Sequence, residues 1–381
     1  PLACLVLMTF LCTTIYADPT VAVVQDKALA HTAQLLPVDA QGAIVGETLA
    51  EQFAQALSNL TTVLNEVGSG QDQLVRVNIY ATDDAGLSAA QALLRETLPA
   101  SSLPVRTALV SRLAHPDALI ALDAIATVSD DQAPVIVRYH TSASVAKQGK
   151  MAHVAVLPKG RTLYISGMAD PTQDLRKATV GTMEQLRAVL ALNGVGTEHV
   201  VHLKAYSKPM SDVTTARNAM AESFRGAFAP PMSFIEWTNG IPIEIELIAY
   251  LPGKGTGKST VDLLWQPEEK RSPVYCRFAV VDSPMRIYTR GFLAEATLDP
   301  EGQVRSIYAQ LQESIAPLNS DFRHLVKATY LVSANDTSAA LNSIRPELYD
   351  PARPPAASKA GIVSTGDAER TILIDMIAVP K

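Results

Sequence analysis

Residues 49–81 read LAEQFAQALSNLTTVLNEVGSGQDQLVRVNIYA, and the order of elements inside this stretch decides the fold. Leu49, Phe53, Leu57, Leu60, Leu64 and Val67 recur at three- and four-residue spacing, the period of a helix with one apolar face. QDQLVRVNIYATD then reads as a strand, and a short helix is predicted from Gly86 to Leu98. Two β-rich runs follow, PVRTALVSRL and DALIALDAIATV, around a turn at His115-Pro116. Read as one hairpin, they place position 121 opposite Arg106 on the same face.

The same order returns twice. TMEQLRAVLALNGVG, HVVHLKAYS, SDVTTARNAMAESF, PPMSFIEW and IPIEIELIAY form a second copy. SIYAQLQESIAPLN, LVKATYLVS, TSAALNSIRPELY, PPAASKAGIV and RTILIDMIAV form a third. Leu60, Leu186 and Leu311 keep register across the copies, as do Tyr80, Tyr206 and Leu331, and Arg106, Met232 and Ala357. Only the last strand pair changes length, where Asp123, Glu246 and Asp375 correspond. A repeat this long must be one folding unit stacked on its neighbours.

Each copy opens with two strands and a turn, RTLYISGMAD in the second and MRIYTRGFLA in the third, so the unit is β-β-α-β-α-β-β. Two helices cover one face of an α+β sheet, and the other face needs a second cover. Three units supply it by packing their sheets about a threefold axis, which one chain provides here as an intramolecular pseudotrimer. The units are predicted at residues 18–128, 135–252 and 272–381, with a linker at 253–271.

The chain has 381 residues, a formal charge of −6 and a pI near 5.7, an acidic balance that argues against a dedicated nucleic-acid partner. Leu2–Tyr16 is an uncharged apolar run, shorter than the roughly 20 residues that span a bilayer. It reads as the core of a signal peptide at residues 1–17, cleaved between Ala17 and Asp18, with a periplasmic or secreted product and no membrane anchor after cleavage. The alternative is a buried first strand. Cleavage would remove Cys4 and Cys12 and leave Cys276, which reads as a small buried hydrophobe in a strand. No Cys/His cluster has metal-ligand spacing. GKGTGKST at 253–260 is not a phosphate loop, because Pro252 stands where the first glycine is needed and Pro267 leaves little room for the helix. His31, His115 and His202 have no supporting triad partners.

Together HTAQLLPVDAQGAIVGE, NLTTVLNEVG, VRVNIYATD, PVRTAL and ALIALDAIA in the first copy, LYISG, LKAYS and IEIELIAY in the second, and LVKATYLVS, ALNSI and ILIDMIAV in the third resemble the Rid (reactive intermediate deaminase, YjgF-like) family. The resemblance implies chorismate-mutase-like units, a ligand cleft at each junction between units, and hydrolysis of 2-imino acids without metal or cofactor. In active members an Arg in a P-x-R-[TS] strand clamps the substrate carboxylate, through two parallel donors that Lys cannot reproduce. A Glu in a V-E-I-E-like strand positions the water.

Carried onto this chain, the pattern comes apart. Arg106 and Thr107 stand in P-V-R-T, with Ala121 in the place of the Glu; Glu244 stands in I-E-I-E, with Met232 in the place of the Arg; the third copy has Ala357 and Leu373. Asn342 fits the family's helix Asn, where the other copies have Gln91 and Arg217, and Ser166-Gly167 fits its S-G turn. The resemblance thus implies Arg106 and Glu244 as catalytic candidates and Arg106, Thr107, Ser166, Gly167 and Asn342 as ligand-binding ones. Whether Arg106 and Glu244 share a cleft is left open. The plainer readings are an Arg106 that bridges units, a half-exposed strand at Glu244 and a tight turn at Ser166-Gly167.

Two functions follow: a 2-imino acid deaminase with one degenerate cleft at Arg106, or a non-catalytic module or structural pseudotrimer that binds a small 2-oxo or 2-imino carboxylate. Ribonuclease chemistry has no His/Glu pair in register to support it. Because one chain carries all three units, it is expected to be a monomer. Light scattering should give about 41 kDa or less; an obligate trimer of three chains would contradict the intramolecular packing.

Overall fold

The computed structural model describes residues 18–226, 228–253 and 255–381, so the run read as a signal peptide lies outside the described residues. The first unit contains β1 (Val21–Gln25), β2 (Ala28–Thr32), α1 (Leu49–Asn65), β3 (Leu74–Ala81), α2 (Asp84–Thr97), β4 (Val105–Val110) and β5 (Ile120–Val128). The second contains β6 (Arg138–His140), β7 (Val154–Leu157), β8 (Arg161–Met168), α3 (Leu175–Leu192), β9 (Val200–Ser207), α4 (Val213–Glu222), β10 (Met232–Glu236) and β11 (Ile243–Leu251). β12 (Thr260–Leu264) lies within the segment read as a linker. The third unit contains β13 (Phe278–Asp282), β14 (Met285–Thr289), α5 (Pro300–Ile315), β15 (Leu325–Val332), α6 (Asn335–Leu348), β16 (Ala356–Gly361) and β17 (Ile372–Ala378). The β-β-α-β-α-β-β order holds in all three, with the short β6 added ahead of the second, where it pairs with β7 as β12 pairs with β13 ahead of the third. No described helix is long and apolar enough to cross a membrane.

Local chemistry sets the helix starts. The Thr48 hydroxyl accepts from the Glu51 amide while the Glu51 carboxylate accepts from the Thr48 amide, a reciprocal cap on α1. Asp299 caps α5, with Pro300 in the first turn, where its missing N–H leaves no bond unmade. β12 pairs with β13, and a strand rather than a helix therefore follows GKGTGKST.

Three mixed sheets result, ordered β4-β3-β5-β2-β7-β6, β10-β9-β11-β8-β13-β12 and β16-β15-β17-β14-β1. They do not coincide with the three units. The two opening strands of each unit part company, the first joining the sheet of the preceding unit and the second its own. β1 does the same around the ring: it runs antiparallel to β14 from Val21 opposite Thr289 to Gln25 opposite Met285. The first strand of the fold thereby completes the sheet of the last unit.

The expected pairing of β4 with β5 is not what forms. β3 lies between them, parallel to β4 and antiparallel to β5, with Val77 beside Arg106 and Tyr80 beside Ala121. Arg106 lies on the helix-covered face with Ala108 and Val110, whereas Ala121 lies on the opposite face with Tyr80. The two runs are joined by a loop long enough to cross over a strand, and adjacency in sequence does not become adjacency in the sheet.

Helices cover the outer face of every sheet with separate apolar cores, such as Phe53, Leu60, Val77 and Ile79 in the first unit. The inner faces share one core that draws Leu29 and Val75 from the first unit, Tyr164 and Val201 from the second, and Tyr288 and Val326 from the third. Polar residues cross the seams beside it. Arg76 donates to Asp375 at 2.9 Å, and Lys327 donates to Glu246 at 2.8 Å, both pairs buried. At the third seam Ser233 sits between His202, at 3.2 Å, and Asp123, to which it donates at 2.6 Å. Arg76, His202 and Lys327 are equivalent positions, as are Asp123, Glu246 and Asp375, so each base of one unit meets the acid of the preceding unit. Burial keeps His202 neutral, with its pKa lowered to about 4.

Removing one partner of such a pair strands a buried charge, whereas replacing both with apolar groups does not. Arg76→Met should therefore destabilise the protein by roughly 3–5 kcal/mol, and adding Asp375→Leu should recover most of the loss. Denaturant titration of the two variants checks this; equal loss in both would show that the pair itself is not what holds the seam.

Candidate functional site

Each junction brings the edge strand of one unit against the turn of the preceding unit. The Gly291 amide donates to the Arg106 carbonyl at 2.8 Å, the Gln34 amide to the Met232 carbonyl at 3.0 Å, and the Ala357 amide to the Ser166 hydroxyl at 2.7 Å. The clefts are thus third-with-first, first-with-second and second-with-third. No two have the same chemistry.

The cleft between the third and first units holds Arg106. A cavity of about 270 Å³ is lined there by Arg106, Arg290, Arg370, Gln91, Gln310 and Leu373, among others. β4 aims Arg106 at α2, where Gln91 accepts from its Nε at 3.4 Å. Its two terminal nitrogens close on one carboxylate, that of Asp18, with Nη1 to Oδ1 at 2.7 Å and Nη2 bonded to Oδ2. Arg95 adds a contact to Asp18 Oδ2 at 3.3 Å. These hydrogen bonds, Arg106 first, hold the Asp18 carboxyl below its ordinary pKa. The wall is tight at Gly291, where a Cβ would lie 3.0 Å from the Leu373 side chain and 3.3 Å from the Thr107 backbone.

Glu244 belongs to the cleft between the second and third units. It lies on the same face of β11 as Glu246, against Gly167, where no Cβ fits beside its carboxylate. Burial and the Glu246 charge push the Glu244 carboxyl up to about 7. Burial also opposes ionisation of Glu246, but the ammonium groups of Lys327 and Lys204 outweigh it and hold that carboxyl at about 2. Ala357 stands where this cleft would need its Arg; Lys359, two residues along the same strand, donates to Asn342 at 3.2 Å and Ser338 at 3.1 Å. The first-with-second cleft has Met232 and Ala121 at the two positions, both buried and apolar.

Arg106 and Glu244 therefore occupy different clefts. The other sequence candidates are engaged within the protein. Thr107 donates to Asp375 at 3.0 Å, Ser166 to the Cys276 carbonyl at 2.6 Å, and the Gly167 amide to the Ser358 hydroxyl at 3.1 Å. Asn342 also accepts from Arg345 at 2.8 Å. Cys276 is buried, which raises its thiol to about 12 and leaves it unreactive. Among the described residues no group of three or more His, Cys, Asp or Glu is placed to hold a metal ion. Sequence reading missed Asp18 and Arg290. The second was visible as the residue standing at the place of Ser166 when YTRG is set against YISG.

A family model described as endoribonuclease L-PSP matches residues 16–128 and 143–251, more than half of the chain. The chain belongs to that family. Its YjgF/Rid membership covers the first two units by direct match, and the third follows from its registers and sheet. Protein mmf1, mitochondrial, of Schizosaccharomyces pombe is 31% identical over 83 residues, 22% of this chain and 51% of that protein. The chain thus spans about half the length of this curated relative. Among solved structures, a YjgF-family protein from Neisseria meningitidis is 25% identical, with 27% of this chain and 82% of that chain covered at a TM-score of 0.25. Yeast Mmf1 is 16% identical, with 32% and 100% covered at a TM-score of 0.24.

The perturbed carboxyl of Glu244 gives a pH test. Its folded-state pKa lies above the unfolded value, so its ionisation opposes folding, with the penalty absent below about pH 4 and complete above about pH 7. Glu244→Gln should raise the melting temperature at pH 8 and leave it unchanged near pH 4. A shift of equal size at both pH values would mean that packing, not charge, sets the effect.

Proposed function

We propose that this Rid-family chain binds a small 2-oxo or 2-imino carboxylate at one cleft, that of Arg106, without catalysing deamination. The observation that carries the reading is the Arg106 fork closed on both oxygens of a carboxylate, that of Asp18. A planar guanidinium with two parallel donors suits that group, and the cavity beside it is of small-molecule size. Asp18 then acts as an internal competitor that a free acid displaces.

Deamination requires a positioned water as well. Leu373 lines this cleft at the place of the water-positioning Glu and offers no acceptor. Glu244 retains that identity in a cleft whose Arg position is Ala357. The two halves of the family's machinery are separated.

Calorimetry with 2-oxobutanoate tests the proposal. Arg106→Ala should weaken binding by roughly 10- to 150-fold, the worth of a charge-assisted bidentate contact. Asp18→Ala should tighten it, by an amount on the order of 1 kcal/mol for a partly exposed ion pair. Equal affinity in wild type and Arg106→Ala would overturn the binding reading. Acceleration of 2-iminobutanoate hydrolysis that Arg106→Ala abolishes would restore the deaminase reading.

A further inference from the structure

The geometry points to a narrower ligand class: we infer that the Arg106 cleft selects compact acids with two carboxylates, and that Arg290 is the anchor for the second. This rests on the carboxylate-binding reading above and adds to it the residue that discriminates.

Three guanidinium groups line the cavity, and two have acids of their own. Arg106 is closed by Asp18, and Arg370 by Asp367 at 2.7 Å. Arg290 makes no side-chain hydrogen bond or ion pair with any described residue, and its buried Nε has no acceptor. Burial and the neighbouring Arg106 charge lower its pKa, and the more distant pull of the Asp18 and Glu295 carboxylates does not outweigh them. The group is nonetheless fixed in place. Its carbon lies 5.0 Å from the centre of the Phe292 ring, and its backbone amide donates to the Thr20 carbonyl at 2.9 Å. Glu295 also lines the cavity, but it is exposed and acts on Arg290 only at a distance, without a hydrogen bond.

A half-buried guanidinium whose Nε is buried without an acceptor is incompletely satisfied, and a ligand carboxylate in direct contact supplies what is missing. A monocarboxylate seated on Arg106 leaves Arg290 as it is. A dicarboxylate satisfies both. The cavity volume of about 270 Å³ lies at the small end of ligand sites, so both groups must sit on one short chain. Leu373 gives the few carbons between them an apolar wall. The turn position explains why this feature is confined to one cleft: the equivalent residues are Ala33 and Ser166, and neither carries charge.

The test compares 2-oxoglutarate with 2-oxopentanoate, which have the same five-carbon chain and differ by one carboxylate, by calorimetry on the full chain. Wild type should bind the dicarboxylate about tenfold or more tightly, the worth of one charge-assisted contact. Arg290→Gln should abolish this preference while leaving 2-oxopentanoate affinity within about twofold, and Arg290→Lys should restore part of it. Circular dichroism melts confirm that the variants are folded, and the lysine variant serves if the glutamine one is not. Equal affinity for the two acids in wild type, or a preference that survives Arg290→Gln, overturns the inference while leaving the Arg106 reading intact. Failure of both acids to bind, or binding of both that ignores Arg106→Ala, overturns the two together.

Discussion

The relay of acid and base across the seams is the constraint on which the rest depends. Each central strand presents a polar residue toward the axis, and each finds its partner only if the neighbouring sheet arrives in one register. An apolar interface tolerates sliding; two buried ion pairs and a hydrogen-bonded His–Ser–Asp line do not. The same contacts orient the clefts. Thr107 is held inward by Asp375, and strand alternation then forces Arg106 to the other face, toward α2 and the cavity. The seam chemistry thus determines where the recognition arginine can point.

Much of this architecture was legible in the sequence. Leu60, Leu186 and Leu311, with the other equivalent triplets, revealed three copies because helix and strand periodicities are local and survive divergence. Sheet membership was not legible. Whether the strand before Asp26 pairs with its neighbour or with β14 depends on a partner far along the chain, and its own residues read alike in either case. The crossing of β3 between β4 and β5 was hidden for the same reason. At the site, the identities of Arg106 and Glu244 could be read, but their separation could not, since it follows from which turn meets which edge strand. Arg290 belongs to no motif, and only its contrast with its counterparts Ala33 and Ser166 marks it.

The three clefts also show how substitutions become independent when units are fused. In an assembly of identical chains, any change at the junction occurs at every junction. Here Met232, Ala357 and Arg106 each occur once, so one cleft could become an apolar seam while another kept its guanidinium. The internal carboxylate of Asp18 is a further product of this freedom, a contact only one of the three clefts makes among the described residues.

The placement of β1 has a consequence for synthesis. The strand leaves the ribosome more than 250 residues before its partner β14, which belongs to the third unit. Closing so distant a contact carries the entropy of a very long loop and belongs among the slow events of folding. Until then β1 and the free side of β14 are unpaired edges, each able to accept a strand from another nascent chain. The ring formed by the three units is therefore open, and adhesive, until the third unit has been made.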